Sequence, residues 1–178
     1  MTNDQNKSLA PDEDSWLAVN FRGPFSPVGY LWAVIAFAAD QFHKWWMLNI
    51  TGITLRDRIE VTSFFDLVLV WNKGISYGLF QQESFVGRLV LASFSFFAVV
   101  ALAVWLARAE QTRLTAIAIG LVMGGGLCNS FDRLIRPGVA DFFALHAFGF
   151  HWYIFNVADI AIVAGVAALL YDAIFVRS

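Results

Sequence analysis

The chain is short of charge. Only 15% of its 178 residues are Asp, Glu, Lys or Arg, where a soluble domain carries about 25%. Hydrophobic residues make up 58%, and the mean hydropathy is +0.62. These figures exclude an ordinary soluble globule and indicate an integral membrane protein with one domain. Basic residues are scarce as well. A net charge of −2 and the absence of a basic stripe exclude nucleic acid as a partner. The single cysteine, Cys128, can form neither an intrachain disulfide nor a multi-cysteine metal site, and it reads as a small core residue. The three histidines, His43, His146 and His151, make no HExxH-type pair. No metal and no cofactor is expected. No internal repeat is apparent.

What is present is length of apolar chain. Residues 1–27 form a polar, acidic tail whose only bases are Lys7 and Arg22, a poor signal-peptide start. Four spans are expected after it, over about 28–48, 85–107, 114–135 and 155–175, each near the ~20 residues that cross ~30 Å of hydrocarbon. Four spans put both termini on one side. The termini and the 108–113 turn hold five bases against four in the opposite loops, a margin of one in favour of cytoplasmic termini. The segment "IEVTSFFDLVLVWNKGISYGLF" between the first two spans is rich in Val, Ile, Phe and Thr, with a turn-like "NKG". Short strands are predicted there, as a small extracytoplasmic β-rich segment on an otherwise all-α membrane protein.

Depth then sorts the polar residues. Asn129 and Asp132 lie ~22–27 Å along the third span, at its far end. Asn156 and Asp159 open the antiparallel fourth span, so they lie on the same side. Asp40 and Lys44 in the last turns of the first span, with Asn72, join that layer. Ionisable residues within spans normally mark a site. Several of these groups also have plainer readings. Asp40 and Lys44, at i and i+4, suit a structural ion pair, Asp132 beside Arg133 suits the ordering of a helix end, and Gly124, Gly125 and Gly126 suit close helix packing. His146 and His151, among Phe and Trp, read as interfacial anchors. Asp141 and Asp159 have no basic neighbour to neutralise them. Two poorly hydrated carboxylates cannot both ionise cheaply, which suits a general acid/base pair; a hydrogen-bonded structural pair is the alternative.

Five segments in order, "DQFHK" (Asp40–Lys44), "NKGISYGLF" (Asn72–Phe80), "GGGLCNSFDRL" (Gly124–Leu134), "VADFF" (Val139–Phe143) and "FNVADIAI" (Phe155–Ile162), resemble the motifs of lipoprotein signal peptidase, the signal peptidase II family. The resemblance implies an aspartic endopeptidase of the bacterial inner membrane. Such an enzyme cleaves diacylglyceryl-modified prolipoproteins before the lipid-bearing cysteine, near the outer leaflet. It implies catalytic roles for Asp141 and Asp159. Supporting or substrate-binding roles fall to Asp40, Lys44, Asn72, Gly126, Asn129, Asp132, Arg133, Asn156 and Ala158. Its implied partners are those prolipoproteins, membrane lipid and globomycin-type inhibitors.

Two departures stand out. Cys128 replaces the usual glycine before Asn129, and Ser76-Tyr77 replaces a small residue followed by Phe. Neither removes a carboxylate. The rival readings are a proton-coupled transporter relaying through Asp132 and Asp159, a presenilin-type protease, and a paralogue that binds lipoproteins without cutting them. Transporters usually place such groups near the midplane within inverted repeats, and Asp172 lies ~20 Å from Asp159 along one helix, too far for a dyad.

Overall fold

The computed structural model describes residues 23–74, 84–108 and 112–176. The polar tail up to residue 22 and the Ser76-Tyr77 departure lie outside the described residues. Four long helices are present: α1 (Ser26–Trp45), α2 (Phe85–Arg108), α3 (Arg113–Ile135) and α4 (Val157–Tyr171). π-Helical turns extend α1 over Trp46–Ile50 and α4 over Asp172–Val176. Among the described residues, three stretches are long and apolar enough to cross a membrane: Phe85–Arg108, Arg113–Ile135 and Val157–Val176. The first helix does not reach that apolarity. Its 20 residues include Asp40, His43 and Lys44, the polar groups that the site uses.

α3 is the central helix, packed against α1, α2 and α4. Small residues permit this. A Cβ added at Gly124 would lie 2.5 Å from the Ala33 carbonyl of α1, and one at Gly125 would lie 2.5 Å from the Ala158 carbonyl of α4. At Gly126 an added Cβ meets only the tip of Val99, at 3.0 Å. Ala33, Val99, Leu106, Ala116, Ile119 and Met123 fill the space between the helices. At the opposite end of α4 from the site, the buried Asp172 accepts hydrogen bonds from Thr112 (2.8 Å) and Thr115 (2.6 Å) at the start of α3.

The β structure is larger than the sequence suggests. Short strands are present between α1 and α2 as predicted: β1 (Arg58–Thr62) and β2 (Phe65–Asn72) pair as a hairpin that turns at Ser63-Phe64, while the NKG run follows β2. The connector between α3 and α4 supplies two more, β3 (Val139–Ala147) and β4 (Phe150–His151), in an antiparallel sheet of order β1-β2-β3-β4. An all-α protein with strands only between its first two helices is therefore corrected. The run "VADFFALHA" has β-type residues without strict alternation, because its first half is buried on both sides. Met47, Ile53, Leu69, Ala140 and Phe142 form the core that seats this sheet on the end of α1.

His146 does not act merely as an anchor: its Nε2 lies 2.8 Å from the buried Asp66 carboxylate, which also takes the Arg58 guanidinium, and it stacks on His151. Burial alone would raise the Asp66 pKa, but the bonds from Arg58 and His146 hold it below the ordinary carboxylate value.

The glycine contacts differ enough to test. Gly125→Ala should destabilise the protein by about 1–3 kcal/mol, since backbone must shift, while Gly126→Ala should change little. Thermal unfolding in detergent checks both, and equal losses would contradict the close approach.

Candidate active site

The fourth long helix begins where it does because of a capping box. Asn156, with extended backbone, is the N-cap of α4, and its side chain accepts the Asp159 N–H at 2.9 Å. Asp159 at N3 accepts the Asn156 N–H in return, at 3.2 Å. Each satisfies a backbone donor that a helix start leaves open. The same Asn156 reaches further. Its Nδ2 donates to Asp141 Oδ1 at 2.6 Å, and so one residue touches both carboxylates.

Two more amides complete the arrangement. Asn129 of α3 donates to Asp159 Oδ1 at 3.0 Å, and Asn72, the last residue of β2, donates to Asp141 Oδ2 at 3.0 Å. Asp141 comes from β3, where it faces Val70 of β2. The chain of contacts thus runs Asn72, Asp141, Asn156, Asp159, Asn129. Asp141 is buried, whereas Asp159 is partly open. A cavity of about 190 Å³ lies beside Asp159, with Asn72, Asn129 and Arg133 among its polar lining and Val139, Ile162 and Val163 among its apolar lining. Burial, and then the charge of Asp159, push the Asp141 carboxyl up to about 7, against the opposing bonds from Asn156 and Asn72.

A second cluster lies behind the first. Lys44 bridges Asp40 and Asp132 at 2.7 Å each, with all three side chains fully buried. The i, i+4 pair expected from the sequence is present, but it is one half of a triad. Asp40 Oδ1 also accepts the Ala158 N–H at 2.9 Å, next to Asp159. Asp132 Oδ2 accepts the Ala140 N–H at 3.1 Å, next to Asp141. The reading that paired Asp132 with its neighbour Arg133 is corrected. Asp132 takes Arg136 and Gln41 on its other oxygen, while Arg133 donates to the carbonyls of Asn129 (2.9 Å) and Gly74 (2.6 Å). Cys128 is buried, with its thiol 3.5 Å from the Phe37 carbonyl.

Sequence reasoning missed Gln41 and Arg136, which close the triad, and Tyr153, which lines the cavity. Gln41 lies inside the matched "DQFHK" run and could have been noticed there; Tyr153 gave no signal. Among the described residues, no three His, Cys, Asp or Glu side chains gather in a way that would hold a metal ion.

The sequence profile of signal peptidase (SPase) II matches residues 32–175. The chain belongs to the signal peptidase II family. It is 49% identical over 154 residues to a lipoprotein signal peptidase of Nitrobacter hamburgensis, covering 84% of this chain and 93% of that protein. It is 46% identical over 151 residues to one from Rhodopseudomonas palustris, covering 83% and 92%. A solved bacterial membrane enzyme superimposes with a TM-score of 0.69 at 26% identity, over 86% of this chain and 93% of that one. Membership makes the chain a peptidase and a multi-pass membrane protein.

Two measurements follow from the geometry. Lys44→Met leaves the buried Asp40 without a cation and Asp132 with Arg136 alone, and should cost about 3–5 kcal/mol of stability, checked by chemical unfolding in detergent. Asp141 gives a pH signature. Its carboxyl titrates near 3.8 ordinarily and near 7 here. A folded-state pKa raised in this way supplies stability that is complete below the lower value and is lost as pH rises through the upper one. The parent should therefore lose more stability between pH 5 and pH 8.5 than Asp141→Asn does; equal losses would refute the assignment.

Proposed function

We propose that the protein is an aspartic endopeptidase of the bacterial inner membrane, with Asp141 and Asp159 as its catalytic pair. Its substrates are diacylglyceryl-modified prolipoproteins, cut just before the lipid-bearing cysteine. The observation that carries the reading is the Asn156 bridge, which ties the buried Asp141 carboxylate to Asp159, itself in the wall of a polar cavity. At neutral pH the pair shares one proton. The charged carboxylate takes a proton from a water whose oxygen attacks the scissile carbonyl carbon. The protonated one gives its proton to the carbonyl oxygen. As the tetrahedral species collapses, the C–N bond breaks and a dyad proton passes to the leaving nitrogen. The products are the signal peptide with a free carboxylate and a lipidated cysteine with a free amine.

The other site residues have roles in this scheme. Asn72, Asn129 and Asn156 orient the pair. Asp40, Lys44 and Asp132 hold the backbones that carry it. Arg133 and Gly126 border the space for the peptide, and Ala158 gives α4 its close contact with α3. In this reading α1 also spans the bilayer. Its 20 residues rise ~30 Å, and Leu31, Val34 and Ile35 are exposed on its outside. Four spans then place both termini in the cytoplasm and the dyad, with the sheet, at the outer leaflet. A globomycin-type inhibitor would compete for the same cavity.

Cleavage of a diacylglyceryl-modified precursor by the purified chain, followed by gel shift, tests the proposal. Asp141→Asn and Asp159→Asn should each remain folded by circular dichroism and lose at least about 10³-fold in rate. Appreciable turnover by either variant would remove that residue from the mechanism. A folded parent that binds the precursor without cutting it would make the chain a non-catalytic lipoprotein-binding paralogue.

A further inference from the structure

A second cavity, of about 370 Å³, also reaches Asp159. Tyr153, Asp159 and Val163 line both cavities, but the chemistry of the two differs. The first presents two asparagine amides and a guanidinium. The second is walled by Leu145 of β3 and by Trp152 and Phe155 between β3 and α4, and its floor is α4 itself. Val163, Ala164 and Ala167 lie on one helical face below Asp159, so the floor runs ~12 Å down the helix axis from Asp159 to Ala167. The two alanines are exposed and leave a trough beside the aromatic wall.

We propose that this trough seats an acyl chain of the substrate's diacylglyceryl group, while the polar cavity takes the peptide. The inference rests on the proposed function and adds a binding site to it. A peptide limb would bring backbone N–H and C=O groups that need partners, and beyond Asp159, the Tyr153 hydroxyl and the Trp152 indole N–H the trough lining is aliphatic or aromatic carbon. A hydrocarbon chain needs none. Bulk lipid could cover any apolar face of α4, but this trough starts at a carboxylate of the dyad. A substrate whose peptide and lipid diverge at the residue after the scissile bond requires two such troughs meeting at the reacting group.

The test compares two precursors with identical peptides, one carrying palmitoyl chains and one carrying butyryl chains, with the double variant Ala164→Leu/Ala167→Leu. Both positions are exposed, so leucine can fill the trough without entering the core. The variant should lose about tenfold or more in kcat/KM on the palmitoyl precursor, and less than twofold on the butyryl one. Its melting temperature should match the parent's. Val166→Phe, on an exposed residue outside the trough, should leave both rates unchanged. Equal losses on the two precursors, or no loss on either, would overturn the acyl site and assign the trough to bulk lipid. A folded parent that cleaves neither precursor would instead overturn the peptidase reading, and the acyl site with it.

Discussion

The buried bridge of Lys44 between Asp40 and Asp132 is the interaction on which the site depends. A lone buried ammonium or carboxylate is strongly disfavoured, and a pair is tolerated only when its remaining valences are filled. Here they are filled by the parts of the chain that matter. The spare oxygen of Asp40 takes the Ala158 N–H, and the Lys44-bound oxygen of Asp132 also takes the Ala140 N–H, each one residue before an aspartate of the proposed dyad. Two carboxylates and one ammonium leave an excess negative charge. Arg136 offsets it at Asp132, and the start of α4, with its positive dipole end, offsets it at Asp40. The triad therefore fixes the relative positions of β3 and α4 without touching either side chain of the dyad.

That separation has a chemical consequence. The hydrogen bonds that Asp141 and Asp159 accept from side chains come from amides, Asn72, Asn129 and Asn156. An amide orients a carboxylate and does not neutralise it. A lysine at the same distance would hold both groups ionised, and a dyad that must share a proton would be lost. The cationic Lys44 is kept one layer away, where it organises backbone. Arg133, the cation nearest the cavity, directs its donors to the Asn129 and Gly74 carbonyls. The placement of charge thus divides the work: ions hold the framework, and neutral donors hold the proposed catalytic pair.

Much of this was legible in the chain, for identifiable reasons. Long apolar runs gave α2, α3 and α4, and counting rise per residue brought Asp40, Lys44, Asn129, Asp132, Asn156 and Asp159 into one layer. Strands β1 and β2 followed from the Val, Ile, Phe and Thr content of their segment, although the hairpin turns at Ser63-Phe64 and not at the NKG run. What escaped detection was non-local. β3 pairs with β2 across some 70 residues, Asn72 opposite Val139 for example, and its burial on both faces erased the alternation that marks a strand. Asp132 was matched to Arg133 because they are adjacent, although successive helical residues point ~100° apart; its partners are Lys44 and Gln41 on α1 and Arg136 one turn on. Asn156 looked like a polar residue inside a span, and only the backbone geometry makes it the cap that starts one.

The cap also accounts for the depth of the site. A membrane helix cannot leave its first N–H groups bare in hydrocarbon, so the start of α4 needs acceptors regardless of chemistry. Asn156 and Asp159 supply them through the capping box, and Asp40 supplies one more at Ala158. A carboxylate required for that purpose already sits at the edge of the bundle, partly open to a cavity and fixed to within one rotamer by its bond to the Asn156 N–H. Adding Asp141 from a sheet edge turns a helix cap into a pair. In the proposed enzyme the position of the chemistry follows from the position where a membrane helix must be capped, and a substrate anchored in the bilayer by its acyl chains presents its scissile bond at that same level.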